Sequence, residues 1–270
     1  MANPISTTAY YTLGARAWDA SRLKPVCGDS FAKYFMNEEA DAVWQKFKGY
    51  TMPNISNASR HAMIDNYLRE VLQSTPDATV VIVGAGFDTR AFRINGGRWI
   101  ELDEPPIINY KDSALPPSKA SNSLTRIPIV FSHESIQQKL LPFATKKKTH
   151  IIVEGVLMYL DGKQRKTLLQ ALQEIFPHHI VYCDLMRKTF FDRYSKEIHE
   201  TIRSLGATFA DLTDYPEGLF LDNGYTTLSR ASVPLYATQY GGLGVPTFIL
   251  RVFMRPLMNG YNIWRFEYSR

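Results

Sequence analysis

The sequence predicts an α/β fold: a mainly parallel sheet with helices on both faces and a helical cover at its N-terminal side. Three observations predict it. From Ala78 onward, short strand-like runs alternate with helical ones, which is the pattern of βαβ units. The first of these runs, "TVVIVG" (79–84), breaks into a glycine-rich turn. Residues 1–73 read as helices joined by polar turns, and no Pro- or Ser-rich linker separates them from the rest of the chain. One domain over 1–270 is therefore expected, with a cover over 1–73 and a core over 78–270.

Taken in order, the elements are these. In "SRHAMIDNYLREVL", Ile64, Tyr67, Leu68, Val71 and Leu72 recur at helical spacing, with Asn57 or Ser59 as the start cap. Strand-like runs come next at 79–84, 98–103 ("RWIELD"), 127–131 ("IPIVF"), 149–155 ("THIIVEG") and 179–185 ("HIVYCDL"). After residue 160, Asp161 and Gln164 have the spacing of a capping box. Leu168, Leu169, Leu172, Ile175 and Phe176 form the buried stripe of that helix, and Pro177 ends it. Residues 187–205 read as one amphipathic helix carrying Phe190, Phe191, Tyr194, Ile198 and Ile202, a helical insertion near 187–215. "TFILRVFM" (247–254) and "GYNIWRFEYS" (260–269) suit late strands, possible as an antiparallel pair.

Composition narrows the class. The chain is 45% hydrophobic and 13% aromatic, as globular chains are. It has no apolar run of 18 residues, so no membrane span is expected. "MANPISTTAYY" has neither the basic nor the apolar region of a secretion signal. Two cysteines, Cys27 and Cys183, make neither a disulfide framework nor a paired zinc spacing, which fits a reducing, cytoplasmic setting without a metal. A net charge of +5 with no aromatic-interleaved basic stretch does not point to nucleic acid. Lys146–Lys148 read as a solvated loop before a strand.

The turn after the first strand says most about function. Gly84 and Gly86 allow a sharp bend and close backbone approach to a ligand. A dinucleotide site calls for a third glycine, and Thr89 stands there instead. Asp103 ends the second strand 17 residues past Gly86, near the spacing at which an acid bonds ribose hydroxyls, with Glu101 on the same side of the strand as a rival. A ligand with a ribose and no pyrophosphate fits, and S-adenosylmethionine has that character. Its carboxylate needs a cation. Arg60 shares the inward stripe with Ile64 and Tyr67, as an anion clamp or as a snorkelling side chain. Its ammonium needs Asp88, Glu154 or carbonyls near Gly84.

"TTAYYTLGARAWDASR", "SRHAMIDNYL", "GAGFDTRAFR", "WIELDEPP" with Lys111 following, and "VEGVLMYL" recur in that order. Over roughly residues 7–185 this resembles the leucine carboxyl methyltransferase family, which includes polyketide carboxyl methyltransferases. The resemblance implies a Rossmann-like class I methyltransferase with a seven-stranded sheet, dependent on S-adenosylmethionine and releasing S-adenosylhomocysteine. It implies that Arg60 binds the cofactor carboxylate, that Gly84, Ala85 and Gly86 line the methionine moiety, and that Asp103 takes the ribose. It also places Glu154 by the amino acid end, Tyr159 near the transferred methyl, and Arg16 in the covering stretch. One stretch departs from the family. An acid facing adenine is usual after the third strand, but here the chain reads "PIVFSHES", with Val130 or Phe131 at that place. Ser132, His133 or a backbone amide then takes that contact.

A carboxylate is the expected acceptor. It is already ionised at neutral pH and needs no general base, and the six histidines show no familiar catalytic spacing. For a phenol acceptor, His61 or His133 is the available base. Arg16 or Arg22 supplies the positive end of an acid pocket, and Tyr159 with Tyr10 or Tyr11 supplies hydroxyl donors. The aromatic stripe of 187–205 is a substrate lid or plain core. The expected partner is a small organic or polyketide-like acid. The alternatives are a phenol or amine acceptor, a protein's C-terminal leucine, and a ligand-binding domain without turnover.

Overall fold

A computed structural model describes residues 4–241 and 254–270 of the chain. Among them, β1 (Thr79–Val83), β2 (Arg98–Asp103), β3 (Ser123–Pro128), β4 (Thr149–Val153), β5 (His178–Met186), β6 (Thr226–Ser232) and β7 (Tyr261–Ser269) form one sheet. Its order is β3-β2-β1-β4-β5-β7-β6. The first five strands run parallel, and β7 lies antiparallel between β5 and β6.

Every residue of β1 is buried, because helices cover both faces of the sheet. Val80 and Ile82 face a core shared with Ile64, Leu68 and Leu72 of α3 (Thr51–Ser74). Val81 and Val83 face the other core, shared with Leu168, Leu169, Leu172 and Ile175 of α7 (Gly162–Ile175). The Asp161–Gln164 capping box opens α7 as predicted, and the stripe packs as predicted. α1 (Pro4–Ala20) and α2 (Glu38–Phe47) join α3 over the first face. Tyr11 of α1 stacks on Phe47 of α2 with ring centroids 4.1 Å apart.

Four expectations change. The helix carrying Arg60 begins at Thr51, so Asn57 and Ser59 lie inside it and cap nothing. Its first turn, "TMPN", has Pro53 where the missing amide has no intrahelical partner to lose. The third strand is Ser123–Pro128 and stops where 127–131 was expected to run, because Leu102 pairs with Ile127 and Asp103 with Pro128. Residues 187–205 form two helices, α8 (Lys188–Tyr194) and α9 (Lys196–Ser204), since Ser195 between them is non-helical at φ −127°, ψ 8°. β7 is antiparallel as expected, but it pairs with β5 and β6; residues 247–253 of the other expected strand lie outside the described residues.

The chain leaves β1 and β4 toward opposite sides of the sheet. Ligands of such sheets bind in the crevice outside the strand ends at that switch point. A cavity of about 990 Å³ lies there, lined by the ends of β1 and β2, the segment after β4, and the covering helices.

Candidate active site

The turn after β1 is built as the sequence implies. Gly84 and Gly86 have φ of +68° and +47°, the left-handed region that glycine enters without steric cost. The amides of Gly84 and Ala85 both donate to the Leu102 carbonyl at 2.9 Å, which folds the turn over the end of β2. Asp103 lines the cavity there. One of its oxygens accepts from the Gly86 amide at 2.6 Å and the other from the Glu104 amide at 2.7 Å. Burial outweighs these bonds and raises its carboxyl to about 6. Glu101 is no rival. It is fully buried against Lys111 Nζ (2.6 Å) and Arg126 Nε (3.0 Å) and does not line the cavity.

Arg60 reaches the cavity from α3. Glu154, just past β4, takes its Nε at 2.9 Å. Asp184 of β5 and the hydroxyl of Tyr261, first residue of β7, hold its Nη1 at 3.1 Å each. Its Nη2 has no partner among the described residues and lies beside Gly155, where an added Cβ would come within 3.2 Å of it. The guanidinium is thus aimed by two carboxylates with one amine left for an anion. Close by, Asn57 lines the cavity with a buried Oδ1 that has no partner among the described residues.

Glu154 is committed to aiming cations. Besides Arg60 it accepts from Arg90 Nη2 at 2.7 Å and from His61 Nδ1 at 3.2 Å. Asp88 also lines the cavity, but its oxygens are on the Arg90 amide (2.7 Å) and Arg90 Nη1 (2.5 Å). Burial, the largest single influence, would raise Asp88 and Glu154; Arg90 together with His61 and the other cations nearby (Arg16 and Lys111 for Asp88, Arg60 for Glu154) more than offsets it and holds both below the usual carboxylate range. Donor atoms of His61, Asp88 and Glu154 lie within 4.8 Å of one another, a spacing that can hold a metal ion. Here the cation among them is the Arg90 guanidinium. His61 is no general base: burial and Arg90 lower its pKa, and Arg93 Nη2 donates to its Nε2 at 2.5 Å.

The remaining expected residues divide. Arg16, Tyr11 and Tyr159 line the cavity. Arg16 is spoken for, with Nη1 on Asp29 at 2.8 Å and Nη2 on the Phe87 carbonyl at 2.9 Å. Arg22 is outside the cavity, on Asp19 (3.2 Å) and the Tyr240 carbonyl (2.9 Å). Neither arginine therefore meets an acceptor as a free cation. Burial pushes Tyr159 up to about 12 and Tyr11 higher still, so both remain hydroxyl donors. Ser132 and His133 line the opposite, exposed rim and bond each other at 3.0 Å. The backbone amides beside them are taken: Val130 donates to Glu134 (2.7 Å) and Phe131 to Glu104 (3.3 Å). The aromatic stripe of 187–205 does reach the cavity through Phe190, Tyr194 and Ile198.

Sequence reasoning missed Asp184, Tyr261, Arg90 and His199. Asp184 carried a signal, a carboxylate near the C-terminal end of a strand, as at Asp103. Tyr261 carried none.

Residues 9–173 match the leucine carboxyl methyltransferase family. The chain belongs to that family. It is 26% identical over 195 residues to a Mycobacterium tuberculosis protein assigned by inference as an S-adenosyl-L-methionine-dependent methyltransferase, covering 63% of this chain and 62% of that one. It is 24% identical over 210 residues to the tetracenomycin polyketide synthesis O-methyltransferase TcmP of Streptomyces glaucescens, covering 76% and 74%. Among solved structures it resembles one from Thermobifida fusca, assigned by inference as a methyltransferase (TM-score 0.61, 14% identity, 95% and 94% covered). It also resembles magnesium protoporphyrin IX methyltransferase of Synechocystis with bound SAH (TM-score 0.51, 11% identity, 88% and 97% covered). The fold is that of class I methyltransferases, as the strand order and the antiparallel β7 require.

Proposed function

We propose that this leucine carboxyl methyltransferase family member binds S-adenosylmethionine and methylates the carboxylate of a small, largely apolar acid, leaving S-adenosylhomocysteine. The residues present fit the cofactor. Asp103 offers an acceptor beside the Gly84–Gly86 bend for ribose hydroxyls, Arg60 Nη2 offers an anion site, and Asn57 Oδ1 is a buried acceptor in search of a donor. Bound there, the cofactor supplies a methyl group on a sulfonium.

What carries the carboxylate reading is the pair of phenols, Tyr11 and Tyr159. Both line the cavity, both sit in the field of Arg60, and both are kept protonated by burial. Donors of this kind suit an acceptor that arrives as an anion and serve poorly as bases. A carboxylate with pKa near 4 is ionised already. The residues then have three tasks: to hold the acid in line, to exclude water, and to leave opposite charges to cancel as the methyl moves.

The test is transfer of labelled methyl from S-adenosylmethionine to a panel of mono-, di- and aromatic acids, with the product treated in mild alkali. An alkali-labile ester is expected. A product stable to alkali, an ether or methylamine, would overturn the carboxylate reading. Calorimetry showing no S-adenosylmethionine binding by the parent protein would overturn the enzyme reading altogether. Arg60→Met is expected to weaken cofactor binding by about 10-fold or more, as loss of a charge-assisted contact implies.

A further inference from the structure

The methyl-transfer reading leaves one buried imidazole of the cavity without a task. His199 of α9 is 7% exposed and lines the cavity with Ile198, Ile202 and Phe209. Its ring packs on Phe191 with centroids 4.2 Å apart and meets Phe209 edge-on at 4.5 Å. Nδ1 lies 2.6 Å from the Ser195 carbonyl. A carbonyl only accepts, so Nδ1 carries the proton. Burial lowers this imidazole to about 4, so it is neutral at pH 7. The tautomer is thereby fixed, and Nε2 is a lone-pair acceptor. It has no partner among the described residues. Nε2 is not among the fully buried unpaired atoms, so it is open to the cavity that His199 lines and calls for a donor from what fills it; an ionised carboxylate has no proton to give. The reacting group is therefore not what Nε2 holds.

We propose that Nε2 of His199 accepts a hydrogen bond from a hydroxyl of the acceptor, so that the substrate is an acid on an apolar ring system with a hydroxyl remote from its carboxylate. This rests on the carboxyl-methylation reading. The surrounding wall selects the ring: Met158, Phe190, Ile198, Ile202, Phe209 and Leu257 are all apolar. His199 turns that wall from merely apolar into one that registers where the hydroxyl stands.

The experiment uses the full chain, S-adenosylmethionine, and 2-naphthoic acid beside its monohydroxy derivatives, a set of isomers with one hydroxyl placed at each free ring position in turn. The readout is the ratio of kcat/KM for each hydroxy acid to that for the unsubstituted acid, with the product identified by alkali lability. The wild type is expected to form esters and to prefer one isomer by roughly 10-fold, the worth of a buried hydrogen bond. That ratio is expected to fall toward one in His199→Phe and to be largely restored in His199→Gln, whose amide oxygen again accepts. The ratio is internal to each variant, so partial loss of folded protein does not move it. Esters formed with no isomer preferred, or a preference kept in His199→Phe, would overturn the His199 assignment and leave carboxyl methylation standing. An alkali-stable ether, with kcat collapsing in His199→Phe, would overturn both, the imidazole then acting as a base.

Discussion

Replacing Arg90 by methionine tests whether the ion network behind the site is built as described. The Arg90 side chain is fully buried and touches three carboxylates: Asp65 at 2.7 Å, Asp88 at 2.5 Å and Glu154 at 2.7 Å. Methionine matches the aliphatic stem of arginine and carries no charge. Without the guanidinium, Asp65 keeps Arg93 and Arg69, and Glu154 keeps Arg60. Asp88 has no other ion-pair partner among the described residues. One buried carboxylate is thus stranded, which costs about 3–5 kcal/mol. For a chain of this size, about 2–4 °C is lost per kcal/mol, so a fall in Tm of roughly 10 °C is expected in a thermal melt. The pH dependence has a definite sign. In the wild type the depressed Asp88 stabilises the fold above its unfolded pKa, and that contribution is lost as pH falls through the still lower folded value. In Arg90→Met, burial raises Asp88 instead, so the deficit is larger at pH 8 than at pH 5, where the proton is taken up. Adding Asp88→Asn removes the stranded charge and is expected to restore part of the loss. A fall under about 3 °C, or a double variant no more stable than the single one, would refute the reasoning.

Two further outcomes concern the turn and its partner strand. Asp103 stands near 6, and hydroxyls donating to its carboxylate favour the ionised form; S-adenosylmethionine affinity is expected to be about 10-fold weaker at pH 5 than at pH 8. Calorimetry in buffers of different ionisation enthalpy measures the accompanying proton release, and the dependence should vanish in Asp103→Asn; a flat profile in the parent contradicts the ribose assignment. In Gly84→Ala, a side chain is forced to φ +68° with its Cβ 2.5 Å from Val156 Cγ2, which together cost about 2–4 kcal/mol. Urea unfolding should show that loss, with part of it recovered by adding Val156→Ala; an unchanged midpoint speaks against the strain.

The framework was legible where local rules and burial agree. β1 reads as a strand because both its faces are covered, and α7 reads as a helix because its cap and stripe coincide. β3 lies earlier than expected because its true span, "SLTRIP", alternates partly exposed residues, while the adjoining apolar run looks more like a strand than it is. The break at Ser195 is invisible to periodicity, since Phe190, Tyr194, Ile198 and Ile202 keep helical spacing across it. Arg60 was legible as an inward arginine. What aims it was not, because Asp184 and Tyr261 lie 124 and 201 residues away in sequence and meet it only through sheet order. Arg16 and Arg22 show the converse error. Their charge is visible in the sequence, but the nearby acids Asp29 and Asp19 that absorb it look like ordinary loop residues there.

The insertion of β7 between β5 and β6 has a consequence for biosynthesis. Tyr261, whose phenol braces both Arg60 and Asp184, belongs to that strand, so a growing chain on the ribosome meets Arg60 and Asp184 long before their brace. Until Tyr261 clears the exit tunnel, the guanidinium lacks one of its three supports. The site around Arg60 is therefore completed only once β7 has joined the sheet, and the brace on its guanidinium reports that the sheet has closed.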